Sequence, residues 1–300
     1  MSQTPSASPP PSALVSDQWL ADHLSDDALV VVDATVLHET VDGAPRWVSG
    51  AERFVQGHLP GARFADLLND FSDPSAPLPL TAPAPERIAE AAARLGIDRD
   101  TTVISYDSDG NRWASRLWWL LRNIGHPDVR VLDGGLAVWQ QAGRELQTGA
   151  ADWQPKPGYG PVTPQDVYLD RDQVSRISAG DRAGTLVHAL ARPSYTGESG
   201  DSARRGHIRG AVNVGWESLL DETGRLRRGA DARNVLGPAL DAEEPVAYCG
   251  SGISATLVLL ALHEEGVPGR LYDGSLTDWA AHGLPLVTGD DPQGQEAAGR

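Results

Sequence analysis

The residues best suited to chemistry lie in one short stretch, Cys249-Gly250-Ser251-Gly252-Ile253-Ser254-Ala255. Cys249 is the only cysteine of the chain. It follows Pro245-Val246-Ala247-Tyr248, which reads as a buried strand, and precedes a helical pattern over residues 254–265 that Gly266 stops, with Pro268 beyond. Two glycines let the backbone curl without Cβ obstruction, so successive amide N–H groups can converge on one point. The start of the following helix adds its partial positive charge there. A free thiol ionises near pH 8.5, and one placed here is expected to ionise more readily. An anion attached to its sulfur would find a ready cradle. A lone cysteine is often only a small buried hydrophobe, but this placement points to a nucleophile.

The elements that must hold the loop occur twice. Arg130-Val131-Leu132-Asp133-Gly134-Gly135-Leu136 is echoed 140 residues on by Arg270-Leu271-Tyr272-Asp273-Gly274-Ser275-Leu276, and Trp139 by Trp279. Gly57-His58-Leu59-Pro60-Gly61-Ala62 is echoed by Gly206-His207-Ile208-Arg209-Gly210-Ala211, and residues 103–107 by 245–249. Order is kept while the offset drifts by a few residues, the trace of a duplication with later loop changes. In the first copy Asp107 stands where Cys249 stands in the second, so the first half is expected to lack the chemistry and to wall the cleft. Residues 29–32, 103–106 and 129–132 are β-branched runs. Between them, residues 85–95 and a helix carrying Leu117, Leu120, Leu121 and Ile124 have helical spacing. Alternation of this kind predicts an α/β fold, with a parallel sheet flanked by helices in each half.

Composition sets the limits. The 300 residues suit two domains. Forty-one acids against 25 Lys plus Arg give a net charge of −16, which argues against nucleic acid and anionic membranes as partners. The longest apolar run, 257–262, is too short to span a bilayer. One cysteine excludes an internal disulfide or a Cys-rich zinc site, and the amino terminus lacks a secretory pattern, so a cytoplasmic location is expected. No G-x-x-x-x-G-K loop or His/carboxylate cluster is present, and no cofactor or metal is expected. Composition divides the chain into a disordered tail (1–13), a non-catalytic domain (14–146), a Gly/Pro linker (147–163), a catalytic domain (164–288) and a second tail (289–300). Trp118, Trp119, Trp139 and Trp279 read as core, Asp133 and Asp273 as turn caps, and Arg116 as a salt-bridge residue near the cleft.

The tandem halves, the Gly-His-Leu-Pro-Gly-Ala turn, the Asp-Gly-x-Leu-x-x-Trp endings and the Cys-Gly-Ser-Gly loop together resemble the two-domain rhodanese-type sulfurtransferases over roughly residues 14–288. The resemblance implies two rhodanese-like domains, only the second catalytic. Sulfane sulfur would pass from 3-mercaptopyruvate or thiosulfate to cyanide or a thiol through a Cys249 persulfide, cradled by Gly250, Gly252, Ile253, Ser254 and Ala255. It also implies that Ser251 and His58 manage the proton, His58 being set against the reading of a turn histidine because His207 repeats it. Gly250 and Ser251 at the second and third loop places look like the mercaptopyruvate branch.

The chain departs from the family at the two arginines that clamp the donor carboxylate. Leu190 and Thr196 hold those places. Arg192, Arg204 and Arg205 are the nearest candidates for compensation, against a reading as solvated surface arginines. The upstream stretch Pro45-Arg46-Trp47-Val48 also lacks the acid of the family relay, with Asp42 and Glu52 nearby. These departures keep a second reading in view, a persulfide-binding or regulatory module with weak turnover. Phosphatase chemistry, which shares the fold, needs an arginine near the end of a longer loop, where Ala255 and Thr256 stand here.

Overall fold

Short runs of β-branched residues form strands wherever helices cover both faces, and the chain uses this device twice. The computed structural model describes residues 12–200 and 204–296. The first half runs β1 (Leu14–Val15), α1 (Asp17–His23), β2 (Leu29–Asp33), β3 (Val36–Val41), β4 (Ala44–Ser49), α2 (Ala51–Gln56), β5 (Arg63–Phe64), α3 (Pro85–Arg94), β6 (Thr102–Tyr106), α4 (Arg112–Asn123), β7 (Val129–Leu132) and α5 (Gly135–Gln141). Its parallel sheet has the order β1-β7-β6-β2-β5. The second half runs α6 (Arg171–Ala179), β8 (Thr185–His188), α7 (Arg192–Thr196), β9 (Val212–Asn213), α8 (Gly229–Leu236), β10 (Pro245–Tyr248), α9 (Ser254–Glu264), β11 (Arg270–Leu271), α10 (Ser275–Ala281), β12 (Val287–Thr288) and β13 (Gln295–Glu296). Its parallel sheet is β11-β10-β8-β9, and Tyr168 bridges to Leu271 as β1 pairs with β7. The expected tandem α/β architecture is therefore the one formed.

The predicted strands and helices fall within a residue or so of their observed bounds. Gly125 and Gly266 adopt φ of +72° and +77° just past α4 and α9, the left-handed position that ends a helix and suits glycine. Other elements were not anticipated, among them one hairpin. β3 and β4 form an antiparallel hairpin whose turn is Asp42-Gly43, a dipeptide that by itself favours such turns.

The tails also differ from expectation. Residues 12 and 13 belong to the first domain, with Ala13 buried and its carbonyl accepting from Val131 N. Residues 289–296 fold back on the second domain: β13 pairs with β12, and Pro292 O accepts from Gly210 N. The remaining tail residues, 1–11 and 297–300, lie outside the described residues. Between the domains, residues 147–163 contain no helix or strand and run along the first half, where Lys156 N donates to Ala93 O and Thr163 N to Ile124 O.

The two halves share one apolar core. α4 and α9 pack against each other, and Leu117, Leu120, Leu121, Leu257, Leu260 and Leu262 join a single buried cluster drawn from both halves. Each leucine so buried contributes about 2 kcal/mol relative to exposure. A hydrogen bond of 3.0 Å between the Ser115 and Thr256 hydroxyls fixes the register of the two helices. All four tryptophans read as core are buried.

Candidate active site

α9 begins where β10 ends plus five residues, and the loop between them is held by its carbonyls. Cys249 O accepts from Leu276 N at 3.0 Å, and Gly250 O from Thr277 N and Oγ1 at 2.9 and 2.7 Å. Gly252 O accepts from Arg116 Nη1 at 3.3 Å, and Ile253 O from Thr256 N and Oγ1 at 3.0 and 2.7 Å. In a planar trans peptide the N–H points opposite to the C=O, so tying these carbonyls to surrounding structure turns the amides the other way. Among the described residues, the N–H groups of Gly250, Ser251, Gly252, Ile253, Ser254 and Ala255 have no protein acceptor. Gly252 is required: its φ is +76°, and a Cβ there would lie 2.6 Å from Asp273 O. Ser275, at φ +52°, accepts from Cys249 N at 3.0 Å and donates to Tyr272 O at 2.9 Å.

The first half shows what such a loop binds. Asp107 occupies the place of Cys249, and its carbonyl accepts from Leu136 N as Cys249 O accepts from Leu276 N. Its carboxylate takes the amides of Asp109 (2.7 Å), Asn111 (3.0 Å), Trp113 (2.8 Å) and Ala114 (2.8 Å). In the duplicated register these correspond to residues 251, 253, 255 and 256. One copy of the cradle is thus satisfied by its own carboxylate. The other follows a thiol, Cys249.

The predicted site residues divide sharply. The sequence reading expected Cys249 to face a cleft; the structure leaves it 2% exposed, in an apolar cluster with Ala189, Val214, Leu219 and Ala247. Ser251 is half-buried, and its hydroxyl has no partner among the described residues. His58 does not join them. Its ring is buried, stacks on Phe54 at 3.9 Å and binds Phe54 O through Nδ1 at 2.8 Å. His207 repeats the arrangement on Tyr195, at 3.7 Å with 2.9 Å to Tyr195 O. Leu59 N and Ile208 N then donate to the hydroxyls of Tyr106 and Tyr248. This duplicated unit holds the turn, which favours the reading of His58 as a turn histidine over the expected proton relay.

Among the arginines, Arg192 pairs with Asp290 at the surface, 60% exposed, and Arg205 donates to Gly200 O. Neither is built into the loop. Arg204 is nearer: its Nη1 donates to Thr277 Oγ1 at 3.1 Å, the hydroxyl that donates to Gly250 O. The Leu190 side chain packs against core, and Thr196 Oγ1 donates to Pro193 O, so neither replaces an arginine. At the end of β8, burial holds His188 at a pKa of about 3, with its ring edge-on to Tyr195 and Tyr248.

Two residues read only as turn caps do more. Asp273, from the second half, pairs with Arg116 at 2.6 Å and accepts Ala82 N at 2.7 Å, both from the first half. Asp133, its counterpart, accepts Leu226 N at 2.8 Å and pairs with Arg228 at 3.1 Å, both from the second. The recurrence at an offset of 140 was visible in the sequence; the crossing between halves was not.

A doubly repeated parallel α/β sheet, with a cysteine on the strand-to-helix loop of one copy, defines a tandem α/β protein. The rhodanese-like domain model matches residues 16–142 and 183–282. The 3-mercaptopyruvate sulfurtransferase of Escherichia coli K12 is 33% identical over 279 residues, covering 91% of this chain and 96% of that protein. The crystal structure of SseA from Escherichia coli, a 3-mercaptopyruvate sulfurtransferase, superposes with a TM-score of 0.77 at 32% identity, covering 88% of this chain and 99% of that one. The sulfur carrier protein TtuD of Thermus thermophilus is 29% identical over 300 residues, covering 94% and 98%. The chain belongs to the rhodanese-like domain family, as a two-domain sulfurtransferase. Among the described residues no helix is long and apolar enough to cross a membrane.

Proposed function

We propose that Cys249 carries the sulfur. Its thiolate attacks the sulfane sulfur of the donor, the donor's bond to that sulfur breaks, and the enzyme is left with a Cys249–S–S⁻ persulfide. With thiosulfate the leaving group is sulfite. With 3-mercaptopyruvate it is pyruvate, whose carbanion takes one proton. Cyanide or a thiolate then attacks the outer sulfur, leaves as thiocyanate or a persulfide, and restores the thiolate, a ping-pong cycle. The observation that carries this reading is the set of amide N–H groups of residues 250–255 without protein acceptors; the first-half counterparts of three of them, 251, 253 and 255, hold the Asp107 carboxylate. An anion on the Cys249 sulfur is the group they are shaped to receive.

For the proton, Ser251 is the candidate, with no histidine in the relay. For the anionic end of the donor, Arg204 is the candidate, through its contact with Thr277 beside the loop. Small-molecule donors and acceptors in a reducing, cytoplasmic setting fit the single unpaired thiol.

A second reading, a persulfide carrier with weak turnover, draws on three observations: the buried thiol, Leu190 and Thr196 in place of arginines, and the likeness to a sulfur carrier protein. Intact mass after exposure to each donor, followed by cyanide turnover, separates the two. An enzyme loads one sulfur on Cys249 and turns over many times. A carrier loads and releases once. Absence of any adduct with every donor tried, or an adduct persisting in Cys249→Ala, overturns both.

A further inference from the structure

We infer that Arg116, a first-domain residue, is a positioning residue of the sulfur-transfer reaction, because it sets the Gly252–Ile253 peptide of the second-domain loop; this rests on Cys249 being the sulfur carrier. Arg116 is 2% exposed, and its guanidinium makes three contacts. Nη1 reaches Gly252 O at 3.3 Å and Asp273 Oδ1 at 2.6 Å, and Nη2 reaches Leu80 O at 2.9 Å. The contact with Gly252 O fixes which way that peptide faces. The far end of the peptide is Ile253 N–H, the counterpart of Asn111 N–H, which in the first half donates to the Asp107 carboxylate at 3.0 Å. Pulling the carbonyl toward Arg116 therefore aims a cradle amide at the sulfur.

The surroundings leave this peptide few alternatives. Asp273 holds the guanidinium from one side, while its other oxygen accepts Ala82 N at 2.7 Å. Asp273 O also closes the space above Gly252, where no side chain fits. Leu80, whose carbonyl takes the third contact, is itself at φ +64°, a left-handed conformation that leucine adopts only when neighbours impose it. Arg116 further lies within electrostatic reach of Cys249. The flat, forked guanidinium serves three acceptors at once, which a lysine ammonium cannot reproduce in the same plane. On this account the non-catalytic domain supplies part of the active-site geometry, in addition to a wall.

The test is single-turnover persulfide formation, with the pH profile of Cys249 alkylation, in full-length wild type, Arg116→Met, Arg116→Lys and the control Arg225→Met. Arg225 pairs with Asp17 across the same interface at 3.1 Å, away from the loop. Arg116→Met is expected to form the persulfide on the order of tenfold to a hundredfold more slowly, less than the roughly hundredfold to thousandfold lost when an oxyanion donor is removed outright, because the amide is misaimed and not removed. Donor KM should change little, and the alkylation profile should move to higher pH. Arg116→Lys is expected to fall between Met and wild type, and it decides the matter if the Met variant does not fold. Arg225→Met should lower the melting temperature and leave both rate and profile in place. Wild-type rate and profile in Arg116→Lys and Arg116→Met, or equal losses in Arg116→Met and Arg225→Met, overturn the inference while leaving Cys249 as carrier. No adduct in the wild type instead removes the reading beneath it.

Discussion

Asp107 and Cys249 stand at the same place in the two halves, and the carboxylate of the first takes four amides, three of whose counterparts in the loop that follows Cys249 have no protein acceptor. The pair makes an internal experiment on one scaffold. Replacing Cys249 with aspartate should recreate the first-half arrangement. Sulfur transfer is lost, while the second domain gains about 1–2 kcal/mol from charge-assisted hydrogen bonds to amides that lacked acceptors. The converse change, Asp107→Ala, should cost about 2–4 kcal/mol. Urea unfolding of both variants checks the signs, and a less stable Cys249→Asp would show that the two loops are not equivalent.

The Ser251 hydroxyl, within the loop itself, has no partner among the described residues, as is also true of Ser254 where α9 begins. If it delivers the proton that pyruvate needs, Ser251→Ala should slow turnover with 3-mercaptopyruvate by about tenfold or more. Turnover with thiosulfate, whose leaving group needs no proton on carbon, should be nearly unaffected. Equal losses with both donors would assign Ser251 to shaping the loop alone.

His58 gives the opposite expectation. Its ring is committed to Phe54 by stacking and by the bond to Phe54 O. His58→Ala should destabilise the first domain by about 1–3 kcal/mol, and transfer per folded molecule should stay within about twofold of wild type. A collapse of kcat at full folding would restore the relay.

His188 sets a pH dependence. Its ordinary pKa is about 6.5, and burial lowers it in the folded protein to about 3. Between these values the unfolded chain binds a proton that the native protein refuses, so unfolding free energy rises with pH across this window. The contribution is present in full above about pH 6.5 and is lost as pH falls toward 3. It amounts to about 5 kcal/mol in all. His188→Phe, which keeps the ring among Tyr195 and Tyr248, should flatten the slope from pH 6.5 to 3. An unchanged slope would place the acid sensitivity elsewhere.

What the sequence revealed depended on how local each cause was. β2, β6 and β7 were legible because β-branched runs need no partner to be recognised, and α4 and α9 because apolar spacing and a closing glycine mark a helix. The Cys249 loop was legible for the same reason: strand, glycines and helix start lie within one short window. The contact from Arg116 to Gly252 was not, since it joins residues 136 positions apart through an interface that neither half encodes alone. Burial of the thiol was missed on the same grounds, the covering atoms being remote in sequence. His58 is a different case. The signal was present in His207, whose recurrence in the same turn is what a structural role would leave.

Asp133 and Asp273 descend from one turn, yet each binds the half to which it does not belong. Neither half is therefore self-sufficient. Cutting the chain in the 147–163 segment would leave two acidic side chains stranded at a freshly opened apolar face. The half that carries Cys249 would also lose a brace that its own sequence cannot replace. Retention of a domain without a nucleophile follows from that mutual dependence, and melting should appear as one cooperative event for the whole chain.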